Sequence, residues 1–409
     1  MSKLEKLIQQ YCPDGVEWKT LEDVCQKVFA GGTPTSSNSS YYGGDIPWLR
    51  SGEVNFNEIN STEKTITEEG YKSSSAKWIE KHSVLIAMTG ATVARSAMTI
   101  IDLTANQSVC ALTPDRSILS YRYLYYWISR SYLQLKGMAQ GALTSLNLNI
   151  IKSLEIPVPP LPVQEEIVRV LDAFTELQAE LQAELQKRLQ QYNYYRDNLL
   201  SVYSDSNTVR ILELQQCVSP DCSMSYGVVQ PGEDFIGGIP VVRPVDLSGR
   251  IIHNKGIKTV KPILLKAYSR TELKGGELLV CVRGTTGVVA FAGEDLKGGN
   301  VTRGIVPLRF NPLVNSNYMY HLFNSRIVKK QIENKTQGAA LQQINVGDLK
   351  KISIPIPPLA EQQRIVSILD RFDTLTNDLT SGLPAEMEKR RLQYEFYRDK
   401  LLTFKRKEA

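Results

Sequence analysis

No apolar run in this 409-residue chain approaches the roughly 20 residues that a membrane-crossing helix requires. The opening stretch, Met1-Ser2-Lys3-Leu4-Glu5-Lys6, alternates charge with apolar side chains and lacks the apolar core of a secretion signal. The expectation is a cytoplasmic protein with no membrane contact. No Gly-Lys dipeptide occurs, which rules out a phosphate-binding P-loop. With three histidines, His82, His253 and His321, general acid–base chemistry has few candidates. The six cysteines are scattered; only Cys217 and Cys222 are close, and no histidine lies beside them. Zinc sites show tighter pairing, so no metal is expected and the thiols read as buried or incidental.

Two fragments imitate catalytic motifs and fail. The prolines at 159–160 and 357–358 invite comparison with the Asn-Pro-Pro-aromatic loop of amino-methyltransferases. Val158 and Ile356 replace the amide or carboxylate that would hold the target amine, and Leu161 and Leu359 replace the aromatic. Pro13-Asp14 followed by Glu17-Trp18-Lys19 looks like a nuclease metal triad, but such carboxylates come from separate strands, which this short spacing cannot supply. The chain reads as one that binds and organises, with no catalytic residues of its own.

What is present is a duplication. Residues 156–172 (Ile-Pro-Val-Pro-Pro-Leu-Pro-Val-Gln-Glu-Glu-Ile-Val-Arg-Val-Leu-Asp) return at 354–370, at a constant offset of 198. Each copy runs into a charged helical stretch that closes alike, with Tyr194-Tyr195-Arg196-Asp197 against Phe396-Tyr397-Arg398-Asp399. The globular segments repeat more loosely. Ile46-Pro47-Trp48-Leu49-Arg50 parallels Ile239-Pro240-Val241-Val242-Arg243, Val84–Gly90 parallels Leu278–Gly284, and Asn106 is matched with Asn300. Most polar positions differ, and all four tryptophans lie in the first copy. One scaffold with two surfaces suits two readers of two targets.

Strands are predicted at 83–88, 97–101 and 108–112, then at 278–282, 287–292 and 304–309, with helices at 119–137 and 316–336. Gly31 to Ser40 is a loop. Prolines at 157–162 and 355–358 force extended chain and launch long helices. The first runs over 163–201 with a stripe of Ile167, Leu171, Phe174, Leu177, Leu181, Leu185, Leu189 and Tyr192. The second runs over 361–404, with Ile365, Ile368, Leu369, Phe372, Leu375 and Leu379 on one face and an interruption at Gly382 and Pro384. Two such stripes bury best against each other, antiparallel, as a coiled coil. The fold class is α+β: two pseudo-symmetric mixed α/β domains joined by two long antiparallel helices. The expected divisions are 1–150, 151–204, 205–350 and 351–409.

Charge is uneven. Residues 205–350 carry 18 Lys and Arg against 12 Asp and Glu, residues 15–150 carry 12 of each, and residues 151–201 carry 5 against 8. A basic domain beside an acidic helix fits a division between nucleic acid and a protein partner.

The repeated Pro-Pro-Leu…Gln…Ile-Val…Leu-Asp signature, the Tyr-Arg-Asp…Leu-Leu helix ends and the two-copy layout resemble the specificity subunit of type I restriction–modification systems across nearly the whole chain. That resemblance implies two target recognition domains, each reading one half of a bipartite, asymmetric site in double-stranded DNA. It implies two modification subunits that methylate adenine with S-adenosylmethionine, and restriction subunits that use ATP and magnesium. Those cofactors belong to the partners, and none is expected in this chain. The rival reading is a coiled-coil scaffold with two protein-binding heads. The repeat Glu176-Leu177-Gln178-Ala179-Glu180-Leu181-Gln182-Ala183-Glu184-Leu185 would act as a ruler for the gap between half-sites.

Base reading needs polar side chains that reach groove edges. The candidates are Thr33, Thr35, Ser36, Asn38, Arg50, Thr89 and Arg95 in the first domain, and Arg243, Arg283, Thr285, Thr286 and Arg303 in the second. Lys255, Lys258, Lys261 and Lys266 are expected to meet phosphates. Tyr194, Tyr195, Arg196, Tyr397 and Arg398 are the candidate partner contacts, since aromatics with arginine are enriched at binding hot spots.

Overall fold

A computed structural model describes residues 2–139, 145–201, 209–336, 342–378 and 381–408. The chain forms two compact units, one of Met1–Glu180 with Glu388–Ala409 and one of Leu181–Met387. Each therefore holds one globular segment, part of the helix Leu161–Ser201 and part of the C-terminal helical segment. The expected boundary at 204/205, and Leu379 of the predicted stripe, lie outside the described residues.

In the first unit the strand Val84–Ala87 sits at the centre of a five-stranded sheet, between Val109–Pro114 and Ser96–Thr99, and all four of its residues are buried. Its side chains alternate between two cores. Val84 and Ile86 join Tyr123, Ile156, Ile167 and Leu171, while Leu85 and Ala87 join Leu49, Val54 and Ile79. Period-two alternation with both faces covered explains why this stretch reads as an uninterrupted apolar run. A smaller sheet sets Tyr42–Leu49 between Lys64–Ile66 and Thr104–Ala105.

The second unit repeats the plan. Leu278–Cys281 lies between Val289–Ala292 and Ile305–Leu308, and Ile239–Val242 lies between Thr259–Val260 and Asn300–Val301. Strand pairing fixes the true equivalences. Trp48 faces Thr104 and Leu49 faces Ala105, while Val241 faces Asn300 and Val242 faces Val301. Asn300 thus corresponds to Thr104, and Asn106 corresponds to Thr302. The match of Asn106 with Asn300 was two places out of register.

Each of the helices predicted at 119–137 and 316–336 is in fact two. Tyr121–Arg130 and Tyr132–Met138 meet at Ser131, and Ser316–Asn324 and Arg326–Lys335 meet at Ser325. Both serine hydroxyls donate to the preceding turn, Ser131 to the Trp127 carbonyl at 2.9 Å and Ser325 to the Leu322 carbonyl at 2.6 Å. Such local bonds compete with the helix ladder. A helix over Lys3–Tyr11, which the sequence reading did not anticipate, is started by a reciprocal cap between Ser2 and Glu5.

The long helical segments meet their globular segments in the same way. Gln164 donates to the Ile118 and Pro159 carbonyls, both at 2.7 Å, and accepts from the Ser120 amide at 2.9 Å. Gln362 donates to the Leu313 and Pro357 carbonyls at 3.0 and 2.9 Å and accepts from the Asn315 amide at 2.8 Å. Both glutamines are fully buried. Tyr123 and Tyr318 donate to the carbonyls of Pro157 and Pro355. The repeated signature therefore encodes a joint.

The helix Leu161–Ser201 is 41 residues long, roughly 60 Å at 1.5 Å per residue. Its stripe is buried at Ile167, Leu171 and Tyr192 and half-buried between Phe174 and Leu189. The C-terminal segment is divided into Leu359–Asn377 and Leu383–Leu401. The break falls at Gly382, where a Cβ would lie 2.4 Å from the Thr374 carbonyl oxygen. In the first unit Phe174 stacks on Tyr397 with ring centroids 5.5 Å apart. In the second, Phe372 stacks on Tyr195 at 5.5 Å and on Tyr192 at 6.3 Å. Pairing the early part of one segment with the late part of the other is what antiparallel neighbours give.

Candidate nucleic-acid interface

Three of the predicted arginines in the second unit converge. Arg243, Arg283 and Arg303 line one cleft of about 350 Å³ with Pro244, Thr302 and Gly304. Arg243 follows the strand Ile239–Val242; Arg283 follows Leu278–Cys281; Arg303 lies in the turn before Ile305–Leu308. They differ in freedom. Arg243 is forked onto Asp246, with Nε to Oδ2 at 3.0 Å and Nη2 to Oδ1 at 2.8 Å. Among the described residues, the side chains of Arg283 and Arg303 make no hydrogen bond or ion pair, and Arg303 is exposed.

Thr286 and Thr285 are both engaged within the protein, one with a distant segment and one with the preceding strand end. Thr286 donates to the Gln342 carbonyl at 3.1 Å, and the Thr285 hydroxyl lies 3.5 Å from the Cys281 sulfur. Lys255, Lys261 and Lys266 are exposed, Lys258 is half-buried, and the Lys261 ammonium sits 5.7 Å from the centre of the Phe235 ring.

The first unit presents the equivalent edge with different chemistry. Arg50 corresponds to Arg243; it pairs with Glu63 and lies 3.7 Å from Glu53, whose carboxylate also accepts from the Arg50 amide at 2.9 Å. Thr89 stands where Arg283 stands, each followed by a glycine of positive φ, Gly90 at 78° and Gly284 at 86°. Arg95 donates to Asn55 at 2.8 Å. Thr35 and Ser36 are exposed on their loop, whereas Asn38 caps the short turn after it by accepting from the Ser40 amide at 3.1 Å. Thr33 bonds through its hydroxyl to Gln107, an exposed residue that the sequence reading passed over. The repeat held the signal: once the register is corrected, Gln107 corresponds in the first copy to Arg303 in the second.

The helix-end residues divide between packing and exposure. Arg196 is buried, its guanidinium 5.4 Å from the Tyr192 ring. Arg398 repeats this over Tyr394 at 5.7 Å. Tyr195 and Tyr397 are spent on the stacks with Phe372 and Phe174, and Tyr194 is the most exposed of the set, at 66%. Among the described residues no cluster of three or more His, Cys, Asp or Glu could hold a metal ion, and no helix is long and apolar enough to cross a membrane.

Residues 13–191 and 233–389 match the family described as the type I restriction modification DNA specificity domain. The chain belongs to that family. A Haemophilus influenzae protein assigned provisionally as a type I restriction enzyme specificity subunit is 33% identical over 419 residues, covering 98% of each chain. A type I restriction enzyme specificity subunit of Escherichia coli is 33% identical over 328 residues, covering 75% of this chain and 76% of the relative. Among solved structures, one from a study of complex assembly and conformational transition of the type I restriction–modification system has a TM-score of 0.62 at 18% identity, covering 95% of this chain and 98% of that one. The S subunit from M. genitalium has a TM-score of 0.52 at 14% identity, covering 95% and 96%. Both likenesses are of fold.

Proposed function

We propose that this specificity subunit is the non-catalytic DNA reader of a type I restriction–modification complex, in which each unit reads one half of a bipartite, asymmetric site. The observation that carries the reading is the repeated edge. At two of three matched positions the second unit carries an arginine, Arg283 and Arg303, where the first carries a neutral polar residue, Thr89 and Gln107; the third is arginine in both, Arg50 and Arg243. Two dissimilar readers on one scaffold suit a target whose halves differ. Phosphate contacts set register and base contacts set sequence. Lys255, Lys258, Lys261 and Lys266 supply the former in the second unit, while the first, with no net charge over residues 15–150, leans on its partners for phosphate neutralisation.

The partners on this reading are double-stranded DNA, two modification subunits that methylate adenine with S-adenosylmethionine, and restriction subunits that use ATP and magnesium, all within the cytoplasm. The exposed aromatics at the helix ends, Tyr194 foremost, are the surfaces on which a protein partner would dock. The test is to co-express the chain with its modification subunit and map methylated adenines at single-molecule resolution. One split motif of two unlike halves is expected, together with DNA affinity that falls steeply with salt. A protein-binding scaffold would give neither.

A further inference from the structure

The turn that carries Arg303 is built on the same backbone as the turn that carries Gln107. In Asn106-Gln107-Ser108-Val109 the Val109 amide donates to the Asn106 carbonyl at 3.1 Å; in Thr302-Arg303-Gly304-Ile305 the Ile305 amide donates to the Thr302 carbonyl at 3.0 Å. The first residue of each turn donates to the strand before it, Asn106 to Leu49 and Thr302 to Val242, both at 2.9 Å. The third accepts from the neighbouring strand end, Ser108 from Met88 and Gly304 from Val282, both at 2.8 Å. Three main-chain bonds thus hold each turn in one pose, and its second residue projects from it, exposed in both units.

Resting on the DNA-reading function proposed above, we infer that this second turn position determines specificity in each half: Arg303 reads a guanine and Gln107 an adenine. The chemistry is complementary. A guanidinium donates twice to O6 and N7 of guanine, and a primary amide accepts from N6 and donates to N7 of adenine. Arg303 has no competing acceptor among the described residues, so its fork is available. Gln107 has its amide oxygen engaged by the Thr33 hydroxyl, which leaves that oxygen a second lone pair and the amide nitrogen both its hydrogens. Arg50 and Arg243, by contrast, are held by carboxylates, Glu53 and Glu63 for the first and Asp246 for the second, and act as braces beside the reading position.

The test exchanges the two side chains in the full chain, co-expressed with its modification subunits, and reads the methylated motif. Arg303→Gln is expected to convert one guanine of one half-site to adenine, leaving the other half and the gap unchanged. Gln107→Arg is expected to convert one adenine of the other half-site to guanine. Arg303→Ala should relax that one position, with a loss of roughly tenfold to a hundredfold in discrimination. Variants that keep the wild-type motif overturn the inference, as do changes at any other base. Where a variant fails to methylate, binding of the purified complex to duplexes permuted at each position decides instead. A uniform loss of affinity from a protein that melts like wild type assigns the residue to phosphate and overturns base reading. A wild-type complex without sequence preference would sink the proposed function first and this inference with it.

Discussion

Arg250 Nη1 lies 2.8 Å from the Asp370 carboxylate, and Asp370 holds the same place in its helix as Asp172, which Arg122 meets at 2.7 Å. The two arginines are not repeats of each other. Arg122 belongs to a helix, and its counterpart there is Asn317; Arg250 precedes an edge strand, and its counterpart is Asn57. Arg250 Nη2 reaches Asn317 at 2.7 Å, so the second unit has moved the charge to the other side of one contact. Burial pushes the Asp370 carboxyl up, and His321 and Arg250 outweigh it, leaving it below its usual range.

Moving the charge back should restore the contact. Arg250→Asn is expected to cost about 1–3 kcal/mol, between the values for exposed and buried pairs. Adding Asn317→Arg should recover at least half of that. Urea unfolding of the full chain measures both, and an additive pair of losses would contradict the exchange.

The joint glutamines should matter to stability more than to sequence choice. Gln362→Ala strands the buried Pro357 carbonyl and two part-buried groups, the Leu313 carbonyl and the Asn315 amide, a loss on the order of 2–3 kcal/mol. Melting should fall while the methylated motif, where methylation survives, stays the same. A changed motif would give this residue a role beyond the joint.

Acid should release the N-terminal helix. Glu166 bonds to Arg169 and to Lys3, which lies 2.7 Å away, and these partners hold its carboxyl at about 2, Arg169 contributing most. An unfolded glutamate titrates near 4.3. The stabilisation is therefore complete above roughly pH 4.5 and lost as pH falls towards 2. Wild type should melt above Glu166→Gln at neutral pH, and the gap should close on acidification. A gap independent of pH would refute this.

Deleting Gln178–Leu181 removes one four-residue unit of the helix Leu161–Ser201, about 6 Å of rise and 40° of rotation. At about 3.4 Å per base step, the recognised gap should shorten by one or two base pairs with both half-site sequences intact. Methylome mapping that returns the original gap would remove the ruler role.

Much of this was legible in the sequence because duplication supplies its own control. The paired signatures, the strands around Val84 and Leu278, the loop from Gly31 and the break at Gly382 all follow from composition and period. What was not legible depends on contacts between distant residues. Ser131 and Ser325 stand at the helix breaks with their hydroxyls bonded to carbonyls of the preceding turn, a local contact that apolar spacing does not report. Gln107 was overlooked because two asparagines make a tempting alignment, and only the pairing of Leu49 with Ala105 corrects it. Arg243, Arg283 and Arg303 were each named from the sequence as DNA-contact candidates, but that they share one cleft, and that Asp246 holds Arg243 while Arg303 stays unpaired among the described residues, depends on geometry.

Gln164 and Gln362 grip main chain alone: each holds two carbonyl oxygens and one amide, groups that almost any residue provides. The coupling between helix and head is consequently indifferent to the side chains the head displays. A lineage could rewrite a head's outer face, or graft in another of the same backbone, and the socket would still accept it. New targets would then be reached without redesigning the frame that bears them.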